Sequence, residues 1–367
     1  MLYYLPLEQY PERYTMLMSC KGGWAEDNFK RFGVPFTRID GEQLNHSIKN
    51  GVVLDACGRS YYANTQINQL VRLIDSGQVK DGDVIYTEDF WHPSVESLFY
   101  IRQLTGVKFR IGCFLHAQSV DDTDFAYAMR SWMRPIEQGF GKEYDFIFVC
   151  SAILKQLCVE NGVGSEDNIF VVGLPYNSEC LKKQLAVMGL EYGKKEDYVI
   201  FSSRFDREKD PNFFLDLVEV CPDIEFRLVN PRKTAPISND PSVVERLNKV
   251  LAERNNLRLV DTSNKIDYYR TLQRAKVQFN CADQDWVSWT LLEAVTFGCL
   301  PLYPKFKDFP LELNYNEKYL YEKRNLEECR EKLYALMSAE ATEENGFIVA
   351  KHDKSWETYL RTMGLVR

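Results

Sequence analysis

Short apolar runs alternate with helix-length segments along this chain, and the pattern runs through twice. In the first half the apolar runs fall at 2–5, 36–39, 52–54, 84–86, 109–115, 146–149 and 169–172. Helical periodicity separates most of them, notably at 65–75, 95–104, 121–136 and 152–161. After Gly173-Leu-Pro-Tyr176 the pattern restarts, with strands expected at 198–202, 225–229, 257–260, 277–280 and 300–303. Strands alternating with helices specify a largely parallel sheet covered on both faces, an α/β architecture. At 367 residues the chain exceeds one comfortable core. The expected organisation is one domain over 1–175, a second over 176–350, and a closing amphipathic helix within 351–367, around Trp356 to Met363, crossing back to the first domain.

Composition narrows the partners. The net charge of −8 supplies no global basic field to draw in nucleic acid or an anionic membrane. Ten scattered cysteines with no Cys-x-x-Cys pair, and four histidines with no zinc-ligand spacing, read as reduced residues of a cytoplasmic protein. The opening Met1-Leu-Tyr-Tyr-Leu5 lacks a charged leader, and no segment approaches 18 uninterrupted apolar residues, so neither a signal peptide nor a membrane span is expected.

The most informative stretch is Asp283-Gln-Asp-Trp-Val-Ser-Trp-Thr-Leu-Leu-Glu-Ala-Val-Thr-Phe-Gly298. Asp285 stands where an N-cap belongs and Gly298 where a C′ glycine belongs, which predicts a helix over 286–298. That helix is apolar nearly all round and should be buried, yet Glu293 lies in its middle. A buried carboxylate needs a partner, because leaving it ionised and unpaired costs several kcal/mol or more. Either it serves a ligand or it pairs with an internal arginine. Asp285 and Glu293 are eight residues apart, roughly 12 Å along a helix axis. This suits one extended ligand gripped at two points, with the amides of Val287, Ser288, Trp289 and Thr290 between them at the positive helix end, where a diphosphate binds.

This spacing, Asp285-x7-Glu293 followed by Ala294 and by Gly298-Cys-Leu-Pro301, resembles the E-x7-E block of retaining GT-B glycosyltransferases of the large family 4 type. The resemblance implies two Rossmann-like domains with a central cleft and metal-independent transfer from a nucleoside diphosphate sugar, most often a UDP-sugar. No cofactor is implied beyond that donor substrate. It also implies that Asp285 meets the donor sugar and that Glu293 meets the ribose. Asp in place of the first Glu, and Trp286 where the family carries a small residue or Phe, are departures that bear on the donor sugar.

In the second half, Arg204 ends the strand Phe201-Ser-Ser-Arg204, and Lys209 precedes Asp210-Pro211, an N-cap and N1 pair. The resemblance assigns both cations to the departing diphosphate; the alternative is that they balance Asp206, Glu208 and Asp210. Asn230-Pro-Arg-Lys233 ends the next strand and is a candidate neighbour of the nucleobase or acceptor. In the first half His116 lies at a strand's carboxyl end, where the family places a histidine on the donor sugar; the alternative is a histidine satisfied by a backbone carbonyl. Glu88, Asp89 and His92 follow another strand, either to meet an acceptor or to cap the helix after Pro93.

Gly22 and Gly23 stand well downstream of the place where the family carries a Gly-rich loop. The opening Pro6-Leu-Glu…Arg13-Tyr-Thr15 resembles the starts of glycosyltransferases of tailed bacteriophages. That implies a viral enzyme working in the host cytoplasm, with a modified pyrimidine in double-stranded DNA as acceptor; Arg13 could equally be a solvated or salt-bridged loop residue. Candidate DNA contacts are Lys21, Lys30, Arg31 and Arg38, interleaved with Trp24, Phe29, Phe32 and Phe36. The competing readings are metal-dependent transfer through Asp283-Gln-Asp285, a saccharide or lipid acceptor, a nucleotide-sugar epimerase, and a catalytically silent binding module.

Overall fold

The computed structural model describes residues 1–10, 13, 15–44, 55–230, 238, 240–339 and 346–367. The expected strand at 52–54 and the residues 231–233 fall outside them, as do positions 11, 12 and 14 of the opening loop. The chain divides into two compact units, one of Met1–Cys180 with Lys354–Arg367, the other of Leu181–Asp353.

The first unit runs β1 (Leu2–Leu5), α1 (Met16–Ser19), α2 (Trp24–Arg31), β2 (Phe36–Arg38), α3 (Ala56–Asp75), β3 (Val84–Thr87), α4 (Glu96–Thr105), β4 (Arg110–Phe114), α5 (Arg130–Glu143), β5 (Phe146–Val149), α6 (Ala152–Glu160) and β6 (Ile169–Val171). The unit boundary falls inside α7 (Ser178–Val187). The second unit continues with β7 (Glu196–Phe201), α8 (Pro211–Val220), β8 (Glu225–Asn230), α9 (Pro241–Glu253), β9 (Leu257–Asp261), α10 (Lys265–Arg274), β10 (Ala275–Phe279), α11 (Trp289–Thr296), β11 (Leu300–Pro304), α12 (Phe309–Glu312), β12 (Leu320–Tyr321), α13 (Leu326–Ser338) and α14 (Gly346–Asp353). The last helix, α15 (Ser355–Thr362), belongs to the first unit.

Each unit holds a six-stranded parallel sheet, in the order β2-β1-β3-β4-β5-β6 and β12-β11-β10-β7-β8-β9. The central strands β1, β3, β5 and β11 are buried along their whole length. That burial is why they read as continuous apolar runs rather than alternating ones. Among the described residues no helix is long and apolar enough to cross a membrane. The ten cysteines form no disulfide with one another.

Several segments differ from the sequence expectation, among them α3, which begins at Ala56 rather than near 65. The helix expected over 121–136 is replaced by a 3-10 turn at Phe125–Met129, which the Asp124 side chain caps, followed by α5 running on to Glu143. The two-residue strand β12 carries too short a pattern to be read from sequence.

The closing helix is held by aromatic chemistry. Trp356 and Trp24 both donate their indole N–H groups to the carbonyl of Pro175, at 3.2 and 3.1 Å. Tyr359 packs 4.5 Å from Phe148 on β5 and donates to the carbonyl of Gly173. Trp356 is 1% exposed. Trp356→Ala is expected to cost the first unit about 3–5 kcal/mol, as large-to-small core substitutions do, read as a lower urea midpoint for that unit's transition. A midpoint within error of the wild-type value contradicts this packing.

Candidate functional site

In an open α/β sheet, ligands bind beyond the carboxyl ends of the strands at which the chain reverses its direction of winding. In the second unit the chain winds outward from β7 to β8 and β9 and then returns to β10 on the other side of β7. The switch point therefore lies at the ends of β7 and β10. The loop after β7 carries Arg204 and Lys209, and the loop after β10 carries Asp283 and Asp285.

These two loops are tied together. The backbone N–H groups of Asp283 and Gln284 donate to the carbonyl of Glu208 at 2.9 and 3.2 Å. Buried Lys209 donates from Nζ to Asp285 Oδ1 at 2.8 Å and to the side-chain oxygen of Gln284 at 3.2 Å. Asp283 pairs instead with Lys323 and, at 3.0 Å, with Arg324, which also reaches Asp210 at 3.2 Å. Each carboxylate of Asp283-Gln-Asp285 thus has its own cation. Arg204 is different: its side chain is 56% exposed and pairs with Asp206 and Glu208 at 3.1 and 2.6 Å.

The helix α11 starts later than expected, which corrects the sequence reading. Ser288 occupies the N-cap position and the helix spans Trp289–Thr296, so Asp285 lies three residues before the cap rather than in it. The cause is tertiary. The pairing with Lys209 and the two amide bonds to Glu208 hold 283–285 against the β7–α8 loop, and helical winding begins only beyond that anchor. Val287 and Ser288 precede the helix, and Trp289 and Thr290 form its first turn; the Ser288 and Thr290 hydroxyls lie 2.8 Å apart. Gly298 follows in the left-handed region, φ 74°, as a C′ glycine should. Asp210 occupies the N-cap position of α8 in left-handed geometry, φ 47°, and its carboxylate faces Arg324 rather than capping.

Glu293 is 5% exposed, in the middle of α11. Among the described residues no arginine meets it. Tyr268 and Tyr269 of α10 donate to its two oxygens, each at 2.6 Å. Burial pushes its carboxyl up from the ordinary range, against Lys265 and the two tyrosyl hydroxyls, which pull it down. Sequence reasoning missed this tyrosine pair, along with Lys323 and Arg324. The available signal was weak: adjacent tyrosines four and five residues after Asn264, a helix cap.

The first sheet reverses between β1 and β3, and the loops after these two strands carry Glu8, Arg13, Glu88 and Asp89. Glu8 is buried between Arg59 at 2.9 Å and Arg13 at 3.3 Å, so Arg13 is salt-bridged. Arg59 also binds Asp89 at 2.5 Å. Glu88 is buried and accepts from the Tyr4 and Ser19 hydroxyls and, at 2.9 Å, from the Leu7 N–H; burial raises its pKa. His92 is buried 3.0 Å from the Gln66 side-chain oxygen, and desolvation lowers its pKa to about 3, so it is neutral. His116 donates from Nε2 to the Glu88 carbonyl at 2.8 Å, and burial lowers its pKa as well. Gly22 turns at φ 71°, and Gly23 opens α2 so close to the preceding turn that a Cβ would come within 2.4 Å of the Met18 carbonyl.

Of the basic and aromatic residues considered for DNA, Trp24 and Phe29 are core. Arg38 is tied to Glu26 at 2.9 Å and Asp40 at 2.7 Å. Phe32 and Phe36 are partly buried, and Lys21, Lys30 and Arg31 remain at the surface.

No protein-family model matches the chain. Solved structures do. The chain is similar to the α,α-trehalose 6-phosphate synthase of Burkholderia multivorans, with TM-score 0.64 at 13% identity, over 99% of this chain and 96% of that one. A trehalose-6-phosphate protein from E. coli, bound with UDP-2-fluoro glucose, gives 0.63 at 13%, over 100% and 99%. The sucrose-phosphate synthase of Thermosynechococcus elongatus gives 0.61 at 13%, over 100% and 94%. At these identities the likeness shows the fold: two Rossmann-like units of the GT-B class.

Glu293 generates a prediction with a definite sign. A carboxyl whose folded pKa is raised binds its proton more tightly when folded, so its contribution to stability falls as pH rises through the window from the ordinary carboxylate range to the raised value. Glu293→Gln removes that penalty. Its melting temperature, compared with wild type, is expected to be equal or higher at pH 8, with the difference shrinking toward pH 4. A variant that melts well below wild type at pH 8 contradicts a carboxylate held against its own stability.

Proposed function

We propose that the chain is a glycosyltransferase that moves a sugar from a nucleoside diphosphate sugar, a UDP-sugar, to an acceptor hydroxyl with retention and without a metal. The observation that carries this reading is the Lys209–Asp285 pair at the switch point of the second sheet, with the buried Glu293 eight residues further on. In this reading Glu293 receives the ribose and Asp285 meets the sugar. The turn from Val287 to Thr290 faces the diphosphate.

The chemistry needs cations. As the bond from the anomeric carbon to the β-phosphate oxygen breaks, negative charge builds on the diphosphate, while the acceptor oxygen bonds to that carbon from the same face and passes its proton to the departing phosphate oxygen. Arg204 is the cation best suited to follow that change, being exposed and held by two acids of its own loop. Lys209, fixed on Asp285, holds the loops in place. Because Asp283 and Asp285 are each paired with lysine or arginine, metal-independent transfer is favoured over an Asp-x-Asp metal site. The resemblance also assigns His116 to the donor sugar; in the first unit its Nε2 donates to the Glu88 carbonyl.

The acceptor is proposed to bind at the switch point of the first sheet, around Glu8, Arg59 and Asp89. A modified pyrimidine in duplex DNA remains one acceptor class, now supported by Lys21, Lys30 and Arg31 without the buried Trp24 and Phe29.

Arg204→Ala is expected to lower transfer by about 30- to 1000-fold, roughly 2–4 kcal/mol of barrier, in a protein that melts normally. The same assay in EDTA should keep full activity. Wild-type turnover by the folded variant removes Arg204 from the leaving-group role. Loss of activity in EDTA, restored by a divalent cation, overturns metal independence.

For the acceptor, a donor panel is incubated in parallel with duplex DNA carrying 5-hydroxymethylpyrimidines and with small saccharides. Products are read by mass spectrometry. Sugar on the base establishes the DNA acceptor. Transfer only to saccharides removes it and leaves the transferase reading standing. An altered sugar on the released nucleotide identifies an epimerase.

A further inference from the structure

Glu293 arrives at its site already held. Oε1 accepts from the Tyr269 hydroxyl and Oε2 from the Tyr268 hydroxyl, each at 2.6 Å. The terminal torsion of a glutamate is broad and roughly two-fold, so a carboxylate held at neither oxygen samples many orientations. One held at both oxygens has a fixed plane. An ionised carboxylate offers about four lone-pair directions, and the tyrosines use two of them, one on each oxygen. Two directions therefore stay open, again one on each oxygen, which matches a pair of neighbouring hydroxyl donors.

The holders are themselves rigid. Both lie on α10, whose start is fixed by the Asn264 side chain accepting from the Ile266 N–H at 2.8 Å. Tyr269 is buried, with its ring 5.8 Å from Phe297, and the Tyr268 ring lies 4.9 Å from that of Tyr269. Tyr268 is half-buried, with Lys265 Nζ 5.8 Å from its ring centre. A purely apolar packing role for these two rings needs no hydroxyl on either. Both hydroxyls nevertheless converge on the one carboxylate of α11.

We propose that Tyr268 and Tyr269 are positioning residues that aim the Glu293 carboxylate at the vicinal hydroxyls of a ribose, making the second unit select ribonucleoside over 2′-deoxyribonucleoside diphosphates. The inference rests on the transferase reading above. The tyrosines touch no substrate and act through Glu293 alone. Their removal should therefore weaken only those ligands that carry both hydroxyls.

The experiment is calorimetric titration of UDP and 2′-deoxy-UDP into wild type, Tyr268→Phe, Tyr269→Phe and the double variant. Wild type is expected to prefer UDP by about tenfold or more, the scale of one hydrogen bond to a charged group. Each single variant should lose about three- to tenfold in UDP affinity and little in 2′-deoxy-UDP affinity, and the double variant should bind both about equally. At saturating donor, kcat should stay near wild type while KM for the donor rises. Thermal unfolding checks the fold, and Tyr268→Phe, at the half-buried position, is the variant least exposed to misfolding. Equal losses for both ligands, or an unchanged preference in the double variant, overturn the positioning role. So does a wild-type protein that binds both ligands equally. A wild type that binds neither ligand overturns the transferase reading, and this inference with it.

Discussion

Lys209 joined to Asp285 is the interaction on which the second unit's working edge depends. It ties the loop after β7 to the loop after β10, the two loops that leave the sheet where its winding reverses. Both helices that follow take their starting points from this tie: α8 begins directly after Asp210, and α11 only at Trp289. The pair is partly buried, so removing one partner leaves a poorly solvated charge and costs more than the pair gains over two apolar residues. Nearby, Asp210, Lys307 and Arg324 all hold left-handed backbone, at φ 47°, 47° and 64°. Non-glycine residues in that region cost of order 1–3 kcal/mol each and persist where surrounding contacts enforce them. Here those contacts include the Arg324 bridge to Asp210 and Asp283 and the placement of Lys307 Nζ 4.3 Å over the Trp286 ring.

A second constraint comes from the buried acids. Glu293 in one unit and Glu88 in the other are buried, and burial raises the pKa of each. Among the described residues, Glu293 is held by two tyrosyl hydroxyls and Glu88 by two hydroxyls and one backbone amide, rather than by a directly bonded cation. Glu8 and Asp89 follow the opposite solution and share Arg59. An acid satisfied only by hydroxyls keeps acceptor capacity for a ligand's hydroxyls, whereas one locked to arginine has less to offer. That difference separates Glu293, held by two hydroxyls, from Glu8, whose two oxygens meet Arg59 and Arg13.

Much of the fold was legible because parallel sheets bury both faces and so write themselves as continuous apolar runs: 146–149 was read as a strand to the residue, and β1 likewise. The candidate site was legible to the extent that the residues proposed for it sit at fixed offsets along the chain. Asp285, Glu293 and Gly298 could be chosen by spacing, and Arg204 and Lys209 by their place after a strand. Long-range pairing carried the rest and leaves no local mark. Nothing around Asp285 in sequence points to Lys209, 76 residues away, and that contact is what displaced the expected cap. The Tyr268–Tyr269 clamp, Arg324 and the Glu8–Arg59–Asp89 network were hidden for the same reason. Arg38 and Trp24 illustrate the converse, since a basic residue near an aromatic in sequence proved to be a buried ion pair and a core indole.

The central claim is that a nucleoside diphosphate sugar binds at the carboxyl edge of the second sheet. Hydrogen–deuterium exchange with and without a saturating UDP-sugar tests it at the level of residues. The account predicts slowed exchange concentrated in 202–210 and 283–293, with the outer strands of the same unit unchanged. Binding that leaves both segments unprotected, or protects only surfaces away from the ends of β7 and β10, contradicts it.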